Sequence, residues 1–321
     1  MTKLKYLMCP SKISSLMGNV LNEAPARGGL YNWLQVFKGD MKAYDTVEDF
    51  EKYDVVQVNL APVDMNYVHE IRDKLGKSSS TKLVLNNDYV VEAWGSWQLH
   101  PRYWEHVQKQ ADMLFATHPM QQAHMIDKTK WIPHPTNIKY ISKIGVDQNV
   151  HRVGFMYHWW EGKSFTNGTI AKRLKEWDRK LSSKLYGYRQ GVDENKRFVD
   201  SMFDEYDMGK GYYDYITDFA KNQVVVENST CQTYGRTSVD TAAIGVPTAG
   251  SERVFSMKHC FPQTSHNPYD VKSLTASIKK LITDEKFRES VIKEAREKVE
   301  FFNYTNSKER YMEALEESDK E

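Results

Sequence analysis

Between Gln232 and Pro247 the sequence places Gly235, Arg236, Thr237, Ser238 and Asp240 within six positions, and then Gly245 and Pro247. The glycine, the following hydroxyls and the Gly-x-Pro exit read as a turn, a short helix and the start of a strand. The first turn of such a helix carries unpaired N–H groups and partial positive charge, which suits a diphosphate. Arg236 adds a charge-assisted donor at the same end, and Asp240 is a carboxylate that could accept from a ligand's hydroxyls. An ordinary βα loop with an aspartate near the helix start for dipole reasons has the same spacing. Both readings stand on the pattern alone.

Other chemistry is excluded or left as a single residue. Asp88 follows Asn86 and Asn87 at the end of an expected parallel strand, where sheet C-termini face ligands, so it is a candidate for contacting a bound ligand. A turn-forming aspartate is the equal alternative. Gly162, Lys163 and Ser164 end like a phosphate loop, but the first glycine of that motif falls on Tyr157. No G-x-G-x-x-G follows a strand, against a dinucleotide dehydrogenase. There is no H-E-x-x-H and no Asp-x-Asp, so no metal site is expected.

The elements that must position these residues alternate short apolar runs with amphipathic ones, the rhythm of βα units on parallel sheets. Expected strands are 5–9, 54–60, 82–86, 113–117 and 131–133, then 153–157, 184–188, 224–227 and 247–249. Expected helices are 30–38, 65–75, 101–110 and 119–127, then 170–181, 212–220 and 238–244. Asp270 is an expected cap for a helix carrying Leu274, Ile278, Leu281 and Ile282 on one face. Asn306 with Glu309 reads as a capping box opening a final helix.

A chain of 321 residues suits two α/β domains. The polar stretch Gly145 to Asn149 predicts the linker, giving domains 1–147 and 148–300 and a terminal segment 301–321. With 44 Lys plus Arg against 43 Asp plus Glu, no global field draws the chain to nucleic acid or an anionic membrane. Cys9, Cys231 and Cys260 form no paired spacing, which points to a reducing compartment. No run is long enough for a membrane span or a signal segment. The expectation is a cytoplasmic protein in which the three sequons, at Asn167, Asn228 and Asn303, are chance.

The 232–247 stretch resembles the donor-site motif of retaining GT-B glycosyltransferases of the family 4 type, E-G-F-G-x-x-x-x-E-A-x-A-x-G-x-P. Aligned on Gly245 and Pro247, Tyr234 and Gly235 sit on the Phe-Gly, Asp240 on the second glutamate and Gln232 on the first. Val153 to Tyr157 followed by Lys163 resembles the opening of the family's second domain, where a lysine holds the donor phosphate. Phe261 to Ile282, Ala295 and Arg296 resemble its closing helices, and Phe301 to Leu315 the segment that crosses back to the first domain. The similarity covers residues 151–315. Within the first domain, Arg27, Gly28, Gly29 and Leu30 resemble the glycine-rich loop near the donor phosphates.

The resemblance implies an α/β chain of two Rossmann-like domains facing a cleft, an acceptor side in 1–147 and a donor side in 148–300. It implies transfer of a sugar from a nucleotide-sugar, with UDP as nucleotide, to an acceptor hydroxyl, with retention and with no cofactor or metal. Lys163, Arg236, Gln232 and Asp88 become the expected catalytic set, and Gly28, Gly29, Gly235, Thr237, Ser238 and Asp240 the expected donor-binding set. The acceptor expected is a glycan or a lipid-linked saccharide. Two alternatives accompany this reading: a phage-type transferase acting on hydroxymethylated DNA bases, and a non-catalytic sugar-nucleotide binder. Gln232 and Asp240 depart from the family's glutamates, and Glu227, outside the motif's register, is the nearest replacement carboxylate.

Overall fold

In a computed structural model, which describes residues 4–9, 31–59, 66–76, 79–87, 101–126, 128–147, 150–157, 166–187, 196–208 and 211–320, the chain forms two units. One unit is Met1–Pro135 together with Tyr304–Glu321, and the other is Thr136–Asn303. Each is built on a parallel sheet that has six strands among the described residues. The break falls after Pro135, ahead of the polar stretch 145–149.

In the first unit the strands are β1 (Tyr6–Cys9), β2 (Asp40–Met41), β3 (Val55–Asn59), β4 (Lys82–Asn87), β5 (Met113–Ala116) and β6 (Thr129–Trp131), in the order β2-β1-β3-β4-β5-β6. β1 is apolar and buried on both faces, as a central parallel strand must be. Because side chains alternate, Leu7 and Cys9 join Val56, Val58, Tyr67 and Ile71 on one face. Tyr6 and Met8 join Trp33, Phe37, Phe115 and Tyr311 on the other. Tyr311 belongs to the last helix, Tyr304–Ser318, so the C-terminus supplies part of the first unit's core. Tyr304 is anchored beside it, its hydroxyl donating to Gln35 Oε1 at 2.7 Å and Asn32 Oδ1 at 3.0 Å.

The second unit's strands are β7 (Arg152–Tyr157), β8 (Ser182–Gly187), β9 (Glu205–Met208), β10 (Val224–Glu227), β11 (Thr248–Ser251) and β12 (Ser265–His266), ordered β12-β11-β10-β7-β8-β9. β10 sits between β7 and β11, so its Val224, Val225 and Val226 are fully buried. Near the strands' N-terminal ends lies a buried charge network. Asp218 Oδ2 is 2.7 Å from Lys184 Nζ and accepts from Tyr186 at 2.8 Å, while its Oδ1 is 3.3 Å from Arg152 Nη2. Arg152 Nε also donates to Asn222 Oδ1 at 2.7 Å. Buried charges persist only when paired and hydrogen-bonded like this.

Several expected boundaries move. The strand expected at 131–133 is Thr129–Trp131, and the helix expected at 170–181 is Asn167–Trp177. Asp270 caps Val271–Thr283 as expected, its Oδ1 accepting from Ser273 N–H at 3.0 Å. The final helix starts at Tyr304 rather than after an Asn306 cap. Asn303 is the last extended residue before it (φ −62°, ψ 162°), held by Glu300 O and Glu300 Oε2. Among the described residues no helix is long and apolar enough to cross a membrane.

Candidate functional site

The site is built where β10 ends and the helix Arg236–Ile244 begins. β10 runs out at Glu227 because the valine run stops there. The loop that follows is tied to the segment after β11: Thr233 N–H donates to Arg253 O, Phe255 N–H to Thr233 O, Ser256 N–H to Tyr234 O, and Ser256 Oγ to Gly235 O. Gly235 has φ +78°, and a Cβ there would lie 1.9 Å from Val254 Cγ1. Only glycine fits both the left-handed backbone and the space. At the other end the helix stops at Gly245 (φ +91°), where Arg296 Nη2 donates to Ile244 O at 3.1 Å and places a cation on the helix C-terminus.

Gly235 has no side chain with which to cap the helix, and Glu227 takes that part. Its Oε2 accepts from the Ser238 N–H at 2.7 Å and from the Ser238 hydroxyl. Burial pushes the Glu227 carboxyl up to about 7, and neighbouring Asp240 adds to the rise, against the lowering effect of the Ser238 bonds. Thr237 is buried, its Oγ1 3.3 Å from the Tyr215 hydroxyl, which donates to Met156 Sδ near the end of β7 at 2.9 Å. Asn167, at the start of its helix, donates to Met156 O at 2.6 Å. Carboxyl ends of parallel strands are where α/β sheets bind ligands.

Asp240 is fully buried. Its Oδ1 accepts from the Tyr212 hydroxyl at 2.7 Å, and its Oδ2 stands 3.3 Å from Arg236 Nε. The Arg236 guanidinium lies over the Tyr212 ring, 3.7 Å from its centre. Arg236 Nη2 has no hydrogen-bond partner among the described residues, although the side chain is 30% exposed. Burial raises the Asp240 carboxyl, while Arg236 and Tyr212 pull it back.

Of the residues expected from the sequence, Gly235, Arg236, Thr237, Ser238 and Asp240 thus come together at one helix start. Gln232 lies half-buried in the loop before it. Asp240, expected to grip a donor's hydroxyls, turns inward to Tyr212 and Arg236 instead. Gly28, Gly29, Asp88 and Lys163 lie outside the described residues. Sequence reasoning gives no part in the site to Tyr212, Tyr215 or Asn167, none of which stands in a motif that marks it for the site. Among the described residues no group of three or more His, Cys, Asp or Glu could hold a metal ion.

No family model and no curated protein sequence matches the chain. Solved structures do. A trehalose-6-phosphate synthase studied with bisubstrate glycomimetics of glycosyl transfer with retention has a TM-score of 0.65 at 12% identity, over 94% of this chain and 78% of its own. The α,α-trehalose-phosphate synthase (UDP-forming) from Burkholderia xenovorans, in complex with glucose-6-phosphate, has 0.65 at 9% identity, over 82% and 73%. Sucrose-phosphate synthase from Thermosynechococcus elongatus has 0.62 at 14% identity, over 83% and 74%. The fold is therefore the α/β fold of the GT-B glycosyltransferases.

Proposed function

We propose that the chain is a glycosyltransferase that moves a sugar from a UDP-sugar to an acceptor hydroxyl, with retention of configuration and without a bound metal. The observation that carries the reading is the helix start at Gly235–Ser238, which closes the carboxyl end of β10 in a fold shared with a UDP-forming synthase. Retention follows the trehalose-6-phosphate synthase whose fold it shares. The acceptor class is a glycan or a lipid-linked saccharide.

In this reading the bond from the sugar's anomeric carbon to the diphosphate breaks through an oxocarbenium-like state, and negative charge grows on the leaving UDP. Arg236 and Lys163 take up that charge, together with the first-turn amides. Preorganised donors of this kind stabilise the transition state more than the bound substrate. Asp240 is a positioning residue: by pairing with Nε it fixes the guanidinium, whose partly exposed side is left for a phosphate oxygen. Gln232, Asp88, Gly28 and Gly29 keep in this proposal the roles that the family resemblance gives them, Gln232 and Asp88 toward sugar and acceptor and the two glycines toward the donor phosphates.

The test is donor turnover measured with a panel of UDP-sugars, with and without EDTA. Turnover unaffected by EDTA, together with a fall in kcat of about tenfold or more in Lys163→Ala, is the expected result, each tenfold being about 1.4 kcal/mol of barrier. Loss of turnover on chelation, restored by manganese, overturns the metal-free part. No turnover and no binding of any nucleotide-sugar overturns the whole.

A further inference from the structure

The first turn of the Arg236–Ile244 helix is already occupied by an anion that belongs to the protein. Glu227 Oε2 takes the Ser238 N–H and the Ser238 hydroxyl, the groups that a phosphate at this helix start would use. Resting on the donor-site reading above, we propose that Glu227 is the internal stand-in for the donor's phosphate, and that binding of the donor there is coupled to uptake of a proton by Glu227.

The electrostatics of the pocket support the coupling. Glu227 faces Asp240 from the capped helix itself, the Tyr215 hydroxyl from the helix 212–219, and the Cys260 thiol from the helix 255–260. None of the ion pairs found among the described residues includes Glu227, and Arg236 is already shared with Asp240. A diphosphate diester would therefore bring negative charge beside a carboxylate that is 91% buried and has no cation of its own. Taking a proton from solvent onto Glu227 removes one of the two like charges and releases the Ser238 N–H to the phosphate. One O–H bond forms, and nothing else changes covalently. Because burial and Asp240, against the Ser238 bonds, already bring the carboxyl up to about 7, the proton is available near neutral pH.

Linkage makes the proposal quantitative. If the donor binds the protonated form, it raises the Glu227 pKa, and by reciprocity its own affinity falls as pH rises above the value in the free protein, with a limit of about tenfold per pH unit. UDP-glucose is a suitable probe because its diphosphate is a diester, with no phosphate group that titrates in this range.

The experiment is calorimetric titration of the full chain with UDP-glucose at several pH values from about 6 to 8.5, in two buffers of different ionisation enthalpy. Expected is uptake that rises toward about one proton per donor above neutrality, with affinity weakening in step. Glu227→Gln, which mimics the neutral carboxyl, abolishes the uptake and binds about tenfold more tightly than wild type one pH unit above the Glu227 pKa. UDP-glucose binding without proton uptake, or uptake that persists in Glu227→Gln, overturns the proposal and leaves the donor site intact. If Glu227→Gln does not fold, the wild-type profile decides, since an uptake curve with no inflection near neutrality is equally fatal. If neither UDP-glucose nor any other nucleotide-sugar binds, the donor reading and this coupling fall together.

Discussion

The Tyr212 hydroxyl donates to Asp240 Oδ1 at 2.7 Å while the Tyr212 ring carries the Arg236 guanidinium on its face at 3.7 Å. One tyrosine thus fixes both members of the Arg236–Asp240 pair, one through its edge and one through its π cloud. A buried carboxylate and a partly exposed guanidinium hold their geometry through a third group that burial keeps uncharged.

Tyr212→Phe keeps the ring and removes the donor, leaving Asp240 Oδ1 buried without it. The expected cost is about 1–3 kcal/mol of stability, with the cation–π contact kept. Asp240→Ala is worse, about 3–5 kcal/mol, because it strips Arg236 of its counter-charge. Urea denaturation of the two variants reads the order, and equal stabilities would refute it.

Gly235→Ala should destabilise the second unit by at least about 2 kcal/mol, since φ +78° and a methyl 1.9 Å from Val254 Cγ1 both have to be relieved. Val254→Ala in the same chain should recover part of the loss by opening space, while the backbone strain remains. Thermal melts of the single and double variants measure the coupling. Strictly additive effects would show that the two side chains do not meet.

Burial works against the charge of Asp218, but the Lys184 ion pair, the Tyr186 hydrogen bond and Arg152 outweigh it and hold the carboxyl at about 2. A folded-state value below the ordinary 3.8 contributes stability that is present above that ordinary value and is lost as pH falls through the folded one. The gap corresponds to about 2 kcal/mol, shed between roughly pH 4 and pH 2. Asp218→Asn should already be destabilised at neutral pH and should lack this part of the acid slope. Parallel slopes in the two proteins would assign acid sensitivity to other groups.

Tyr311 is fully buried, with its ring 4.9 Å from Trp33 and 5.0 Å from Phe37. Tyr311→Ala should cost the first unit about 3–5 kcal/mol, whereas Tyr311→Phe should lose only the 3.2 Å bond to Gln57 Oε1, about 1 kcal/mol. Trp33 is among the ring's neighbours, so near-ultraviolet circular dichroism should change in the alanine variant. An unchanged spectrum and stability would place Tyr311 outside the core.

What was legible in the sequence was whatever burial imposes locally. Val224 to Val226 must be a central strand because the run has no polar break, and Gly235 and Gly245 bracket a helix of the expected kind. β9, Glu205–Met208, escaped notice because an edge strand is polar: Tyr206 is 37% exposed, and Asp207 turns to Lys184. The Arg152, Lys184, Asp218 and Asn222 network is spread over two strands, a helix and the loop after it, so no spacing betrays it. The inward turn of Asp240 was equally hidden, because it depends on Tyr212, which lies in a separate helix with no motif of its own.

The helix Tyr304–Ser318 belongs to the first unit although the whole second unit precedes it in the chain, and this constrains the order in which the protein can mature on the ribosome. Tyr6, Trp33 and Phe37 leave the exit tunnel early but wait for Tyr311, with the whole of Thr136–Asn303 synthesised in between. At ordinary translation speeds Thr136–Asn303 alone takes roughly ten to thirty seconds. The second unit's residues are contiguous, so all of them are made before Tyr311. For that interval the face built from Tyr6, Trp33 and Phe37 stands without Tyr311.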